Sequence, residues 1–168
     1  MPIRERLGFT ALLQRAAAVA AVAWAVAAFA FLEGCRTVFP SERDLRGWKR
    51  SVVLMEVTGY DSGPRSCNWK RNWYGRPVMA SGPNKGKPKA VGITASGTRA
   101  KRGTAAADPK YYPFGTVLYV PGYGYATVED TGGAIKGPGR LDLWFSTERE
   151  AFKWGRRKNL AVTVWKKP

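Results

Sequence analysis

Hydrophobic and polar positions divide the chain into an apolar leader and a body of short runs. Ala16 to Leu32 has no charged residue and is mostly Ala and Val, with Trp24, Phe29 and Phe31. Arg4, Arg6 and Arg15 precede it, against the single Glu5. A basic start followed by an apolar run is the layout of a secretory signal. The 17 uncharged residues also sit at the short edge of a membrane-spanning helix. The arginines would then stay on the cytoplasmic side, with the rest of the chain outside. A buried amphipathic helix would show a polar face that this run lacks. Residues 1–35 are therefore predicted to be a hydrophobic signal peptide or membrane-anchor helix. Residues 36–50 carry mixed charge and no clear period, and read as a linker.

The body, residues 51–168, reads as short strands bounded by turn residues. Ser51–Thr58 is apolar and β-branched. Thr116–Pro121 leads through Gly122-Tyr123-Gly124 into Tyr125–Asp130 as a hairpin. Arg140–Phe145 and Leu160–Trp165 are two further strands. One helix is expected, with Thr147 as N-cap, Glu150 completing a capping box, and Gly155 at the C-terminus. Residues 64–92 are rich in Pro and Gly and read as loops. Short strands with one helix suggest a small closed all-β barrel.

Composition narrows the chemistry. The 168 residues include 28 Lys plus Arg against 12 Asp plus Glu, a formal net charge of +16. Beyond residue 35 the net charge is still +15, which bears on partners rather than on fold. There is no histidine. Ser-His-Asp and Cys-His sites, histidine bases and His-ligated zinc are thereby excluded. Cys35 and Cys67 cannot build a Cys-rich zinc site or a disulfide framework. Leu32-Glu33-Gly34-Cys35 resembles a lipoprotein lipidation box, from which the charged Glu33 departs. A Cys35–Cys67 disulfide would require the leader to be retained. Catalysis, if present, falls to carboxylates, hydroxyls or lysines.

Three aspartates stand in recognisable contexts. Asp108 opens D-P-K-Y-Y-P-F-G-T, Asp130 opens D-T-G-G-A-I-K-G, and Asp142 lies within R-L-D-L-W-F. Over roughly residues 52–166 the chain resembles the three-aspartate (3D) domain. That barrel is shared by the C-terminal part of membrane-bound lytic transglycosylase A and by short stationary-phase survival proteins. The resemblance implies a six-stranded double-psi β-barrel with one short helix after the N-terminal leader. It also implies non-hydrolytic cleavage of peptidoglycan between N-acetylmuramic acid and N-acetylglucosamine. No cofactor and no metal are expected, since carboxylates alone at these spacings are a weak signal for a metal site at the three aspartates. Thr94 falls where that family carries a small polar loop.

Breaking a glycosidic bond requires a proton on the leaving oxygen, which a carboxylic acid of raised pKa can supply. A hydrolase pairs that acid with a second carboxylate. A lytic transglycosylase needs only one, which then takes a proton from the muramic acid hydroxymethyl group as the anhydro ring closes. The resemblance assigns the acid/base role to Asp142. Leu141 and Leu143 would point to the opposite face of its strand. Asp130 would orient Asp142 or favour its protonation, and Asp108 would shape the cleft edge. Thr94, Gly132, Gly133, Lys136 and Arg140 are the candidate substrate-binding residues. Lys136 and Arg140 would lower the pKa of Asp142, against the burial that raises it. Plain structural roles stand beside these: Asp108 before Pro109 and Asp130 before Thr-Gly-Gly both suit turns. Trp69, Trp73, Tyr74, Tyr111, Tyr112, Tyr123 and Tyr125 are candidates for stacking on sugars, though most aromatics of a small barrel belong to its core.

The expected partners are peptidoglycan glycan strands and, through the leader, the membrane of the cell envelope. The larger transglycosylase has a second domain walling its groove, and this chain has nothing long enough for that. A shallow cleft, completion by a homodimer partner, or substitution by the loop 81–90 would each answer that departure. A non-catalytic glycan-binding barrel is the competing function. Nucleic-acid binding, suggested by charge and by the aromatic-basic stretch 65–76, is disfavoured by the export segment, and no nucleic-acid partner is expected.

Overall fold

The computed structural model of the chain describes residues 44–168. The expected signal or anchor segment 1–35, the lipidation box and Cys35 lie outside the described residues. Eight strands and two short helices follow in order. They are β1 (Lys49–Tyr60), α1 (Pro64–Cys67), β2 (Trp69–Arg71), β3 (Pro77–Met79), β4 (Thr104–Ala106), β5 (Val117–Val120), β6 (Gly124–Asp130), β7 (Arg140–Trp144), α2 (Glu148–Trp154) and β8 (Arg157–Lys166).

Six strands close into a barrel in the order β1-β7-β4-β6-β5-β8, and β2 and β3 form a separate two-stranded sheet. The β1–β7 and β4–β6 pairings are parallel, and the other four barrel pairings are antiparallel. Alternation along the strands sends one side chain in two to the barrel interior. Met55 and Val57 of β1, Leu118 and Val120 of β5, and Ala126 and Val128 of β6 are buried there. Leu141 and Leu143 of β7 and Val162 and Val164 of β8 complete the core. Full burial of a side chain such as Leu141 stabilises by roughly 1.5–3 kcal/mol before packing losses are counted.

Sequence and structure differ at three places. Val52 and Leu54 of the apolar β1 run are exposed, at 59% and 64%, because β1 has one face in the core and one outside. The sixth barrel strand, β4, is three residues of Thr and Ala, too short and too weak in β-propensity to stand out. The stretch 64–92, expected as loops, contains α1 and the β2–β3 sheet. The second helix follows its signal: the Thr147 side chain accepts a hydrogen bond from the Glu150 amide, and Gly155 closes the C-terminus.

Candidate functional site

The site is built on a row of residues crossing four neighbouring strands. Thr58 of β1 pairs with Asp142 of β7, Asp142 pairs with Ala106 of β4, and Ala106 pairs with Asp130 of β6. In-register partners share a face, so both aspartates flank Ala106 on the outside of the barrel. Their backbones lie roughly 9–10 Å apart, two strand spacings. Ala106 contributes only a methyl group, which keeps the floor between them low.

A register shift puts Asp130 on that row. Val128 is fully buried, and strict alternation from it would turn Asp130 inward as well. The β4–β6 register instead slips, with Ala105 opposite Val128 and Ala106 opposite Asp130. A bulge of this kind re-aims the side chain that follows it. The skipped Glu129 turns to the Thr104 hydroxyl, which donates to its Oε2 at 2.7 Å.

Asp142 and Asp130 line a cavity of about 400 Å³. Thr131, Gly132 and Gly133 after β6 line it, as does the segment between β1 and β4, including Thr94, Ala95, Met79 and Lys89. Leu141 and Leu143 point into the core while Asp142 lies between them, half-buried. The Thr58 hydroxyl donates to Asp142 Oδ1 at 2.8 Å. Burial pushes the Asp142 carboxyl up to about 6, and the neighbouring Asp130 adds to the rise. The Thr58 hydroxyl, the Arg140 charge and the Leu143 amide oppose it. The competition between burial and basic neighbours thus goes to burial. Arg140 is itself shared with Glu56, at 3.3 Å, and Arg156 reaches the same Glu56 oxygen at 2.9 Å.

Asp130 has both oxygens engaged. Oδ1 accepts from the amides of Ala95 and Thr131, each at 2.9 Å, and Oδ2 accepts from the Tyr60 hydroxyl at 2.9 Å. Burial above all, and then the facing Asp130, drives the Tyr60 phenol far above its ordinary range, so it remains a donor. Thr94 is buried, and its hydroxyl is bonded to Ser96 and Thr98. That knot shapes the turn that delivers the Ala95 amide.

Of the candidate site residues, the structure brings together Asp142, Asp130, Thr94, Gly132 and Gly133. A Cβ on Gly132 would lie 2.6 Å from the Ile135 side chain, so this glycine is required by close packing inside the turn. Asp108, Lys136 and Arg140 are not among the cavity-lining residues. Asp108 instead accepts from the Gly137 amide at 2.8 Å and the Lys110 amide at 3.1 Å. Gly137 has φ +82, a conformation that favours glycine. These two amides, chiefly that of Gly137, hold the Asp108 carboxyl below its ordinary value. Asp108 is thus a tie between its own turn and the loop after Asp130.

The aromatic candidates fall elsewhere. Tyr112 and Tyr123 are buried, while Trp73 and Tyr74 are exposed, and none of the seven lines the cavity. Tyr123 donates to the Trp144 carbonyl at 2.7 Å and packs edge-on against Phe145 and Trp154. The aromatic in the cavity is Tyr60, and sequence reasoning missed both it and Thr58. Their spacing of two at the end of a strand was the available signal. It gained meaning only through the partner strand β7.

Fold and site together describe a closed barrel that presents two carboxylates from its outer surface to a lateral cleft. Residues 103–166 match the family model described as the 3D domain. That stretch contains Asp108, Asp130 and Asp142, whereas β1, with Thr58 and Tyr60, precedes it. The cell wall-binding protein YocH of Bacillus subtilis (strain 168) is 41% identical over 77 residues, covering 44% of this chain and 26% of YocH. YabE of the same organism, named for cell wall shaping, is 40% identical over 70 residues, covering 39% of this chain and 17% of YabE. The match thus spans well under a third of either relative. Among solved structures, MltA of Escherichia coli, a lytic transglycosylase, aligns with a TM-score of 0.37 at 24% identity. That alignment covers 49% of this chain and 30% of MltA.

Proposed function

We propose that the chain is a peptidoglycan lytic transglycosylase of the cell envelope, with Asp142 as its acid and base. The observation that carries this reading is the Asp142 carboxyl, raised to about 6 by burial and open to a cavity shared with Asp130. The 3D-domain match over residues 103–166 supports the family, and the names of the two Bacillus relatives support the cell wall as the setting. We further propose the double-psi form of the barrel, which the two parallel pairings favour, and export or tethering through residues 1–35.

The protonated Asp142 carboxyl gives its proton to the glycosidic oxygen as the bond from the muramic acid anomeric carbon breaks. The resulting carboxylate removes the proton from the muramic acid hydroxymethyl group. The freed oxygen bonds to the anomeric carbon and closes the anhydro ring. Water enters neither step, and the carboxyl ends as it began. Thr58 binds Oδ1, which favours the proton on the other oxygen. Asp130, held by three donors, adds negative charge that opposes ionisation of Asp142.

The second reading is a barrel that binds wall glycan without cutting it, favoured by the name of the cell wall-binding relative. Digestion of purified peptidoglycan by the full chain, beside Asp142→Asn, separates the two. Mass spectrometry should find anhydro-muramic ends with the wild type alone. Hydrated reducing ends would mean a hydrolase. Binding without products from either protein would establish the second reading.

A further inference from the structure

Between β1 and β4 the chain leaves the barrel for residues 61–103. Past Asp61 this insertion contains ten basic residues and no acidic one. It supplies eleven of the eighteen residues lining the cavity. More than half of the cleft lining therefore comes from one strongly cationic segment of this chain.

Register fixes which of the insertion's charges share a face. In the β2–β3 sheet, Trp69 pairs with Met79 and Arg71 with Pro77. The segment after β3 folds back as a third rung: Val78 bridges Pro88, the Met79 amide donates to the Lys87 carbonyl, and the Lys89 amide donates to the Pro77 carbonyl. This antiparallel pattern sets Lys87 beside Met79 and Lys89 beside Pro77. Trp69, Met79 and Lys87 thus share one face with Arg71, Pro77 and Lys89. Met79 and Lys89 line the cavity, so this is the cleft side of the flap. Lys87 is exposed, and the Arg71 guanidinium lies over the Trp69 ring, 5.9 Å from its centroid.

A row of cations beside a cleft whose floor carries carboxylates calls for a ligand that is neutral at the floor and anionic at its flank. A bare glycan strand lacks the stem carboxylates that such a flank would meet, and instead carries a free lactyl carboxylate on each muramic ring, close to the carboxylates of the floor. A strand bearing peptide stems presents uncharged sugar rings with stem carboxylates projecting to one side. We propose that the 61–103 flap is the second wall of the glycan cleft and that Lys87 and Lys89 bind the carboxylates of peptide stems. The chain then selects peptide-bearing over bare glycan. This rests on the peptidoglycan reading above and adds the substrate form.

The test measures binding of the full chain to immobilised glycan strands, with stems intact or enzymatically removed, both freed of phosphate-rich wall polymers. The variants are Lys87→Gln/Lys89→Gln and, as a charge-matched control, Lys153→Gln/Lys158→Gln. Wild type and control should bind stem-bearing strands about tenfold more tightly at low salt, a preference reduced by salt. The Lys87→Gln/Lys89→Gln protein should bind both strands alike. Equal wild-type binding to both strands would overturn the proposal, as would a preference that survives in this variant. So would displacement by a phosphate-rich wall polymer or an oligonucleotide at concentrations where free stem peptide has no effect. Product formation is read separately. Anhydro ends without a stem preference would remove only this proposal, and a stem preference without anhydro ends would remove only the catalytic one.

Discussion

Asp108 and Asp142 are the same residue in the same domain, yet their surroundings drive their carboxyls in opposite directions. Asp108 is half-buried at a turn, where the Gly137 and Lys110 amides stabilise its charge and hold it below its ordinary value. Asp142 lies between two core leucines on β7, where burial outweighs its donors and raises it to about 6. Amide donors make a carboxylate a good structural tie, and burial makes a carboxyl a good proton donor. Asp130 stands between the two in kind. It faces the cavity like Asp142 and is tied by backbone amides like Asp108.

The sharpest way to break this contrast is Asp142→Asn. It should lower the rate of anhydro-product formation by about 10²–10⁴-fold, the usual contribution of a general acid or base. The same substitution should stabilise the fold at pH 8. With its folded pKa raised, Asp142 contributes stability that is fully present below the ordinary carboxylate value and is lost as pH rises through about 6. The gain is at most about 3 kcal/mol. Thermal melts at pH 4 and pH 8 should show it only at the higher pH.

Asp130→Asn should follow, with a loss of about tenfold to a hundredfold in rate. It keeps the side-chain shape while removing the charge that faces Asp142. It also leaves the Tyr60 hydroxyl to contend with an amide. Initial rates across pH should show the limb assigned to Asp142 moving to lower pH. An unmoved limb would mean that Asp130 acts on geometry alone.

Thr58→Val should have a smaller effect with a distinctive signature. The Thr58 hydroxyl lowers the Asp142 pKa, so its loss should move the descending limb to higher pH. Thr58→Ser should restore the wild-type position. Arg140 opposes protonation in the same direction as Thr58, while Asp130 favours it. Salt should therefore perturb all three proteins alike and leave the difference between them intact.

The smallest effect on chemistry is expected for Asp108→Ala. Rates should change by less than about threefold near neutral pH, in line with a residue outside the cleft. The melting temperature should fall, because the Gly137 and Lys110 amides lose their acceptor. A large rate loss with an unchanged melt would break the contrast between Asp108 and Asp142.

Much of the barrel was legible from alternation. The runs containing Leu118 and Val120, Leu141 and Leu143, and Val162 and Val164 each carry apolar residues two apart, and each became a barrel strand. The capped second helix was equally clear, because capping is chemistry between near neighbours. β4 was not legible, since Thr104-Ala105-Ala106 owes its strand form to β6 and β7 on either side. The aromatic positions were ambiguous for a similar reason. An exposed Trp73 and a buried Tyr123 look alike in sequence.

The sequence alone determined which chemical groups were available: no histidine, few carboxylates, three aspartates in marked contexts, and ten basic residues against Asp61 between β1 and β4. It also determined local structure, which depends on residues a few positions apart. Tertiary structure decided which groups meet. Thr58 touches Asp142 across 84 residues of chain, and Tyr60 reaches Asp130 across 70. Whether Asp130 faced the core or the cleft turned on a one-residue slip between β4 and β6. A side chain's face in a strand is set by its partner's register as well as by its own position, and that register is a property of the closed barrel.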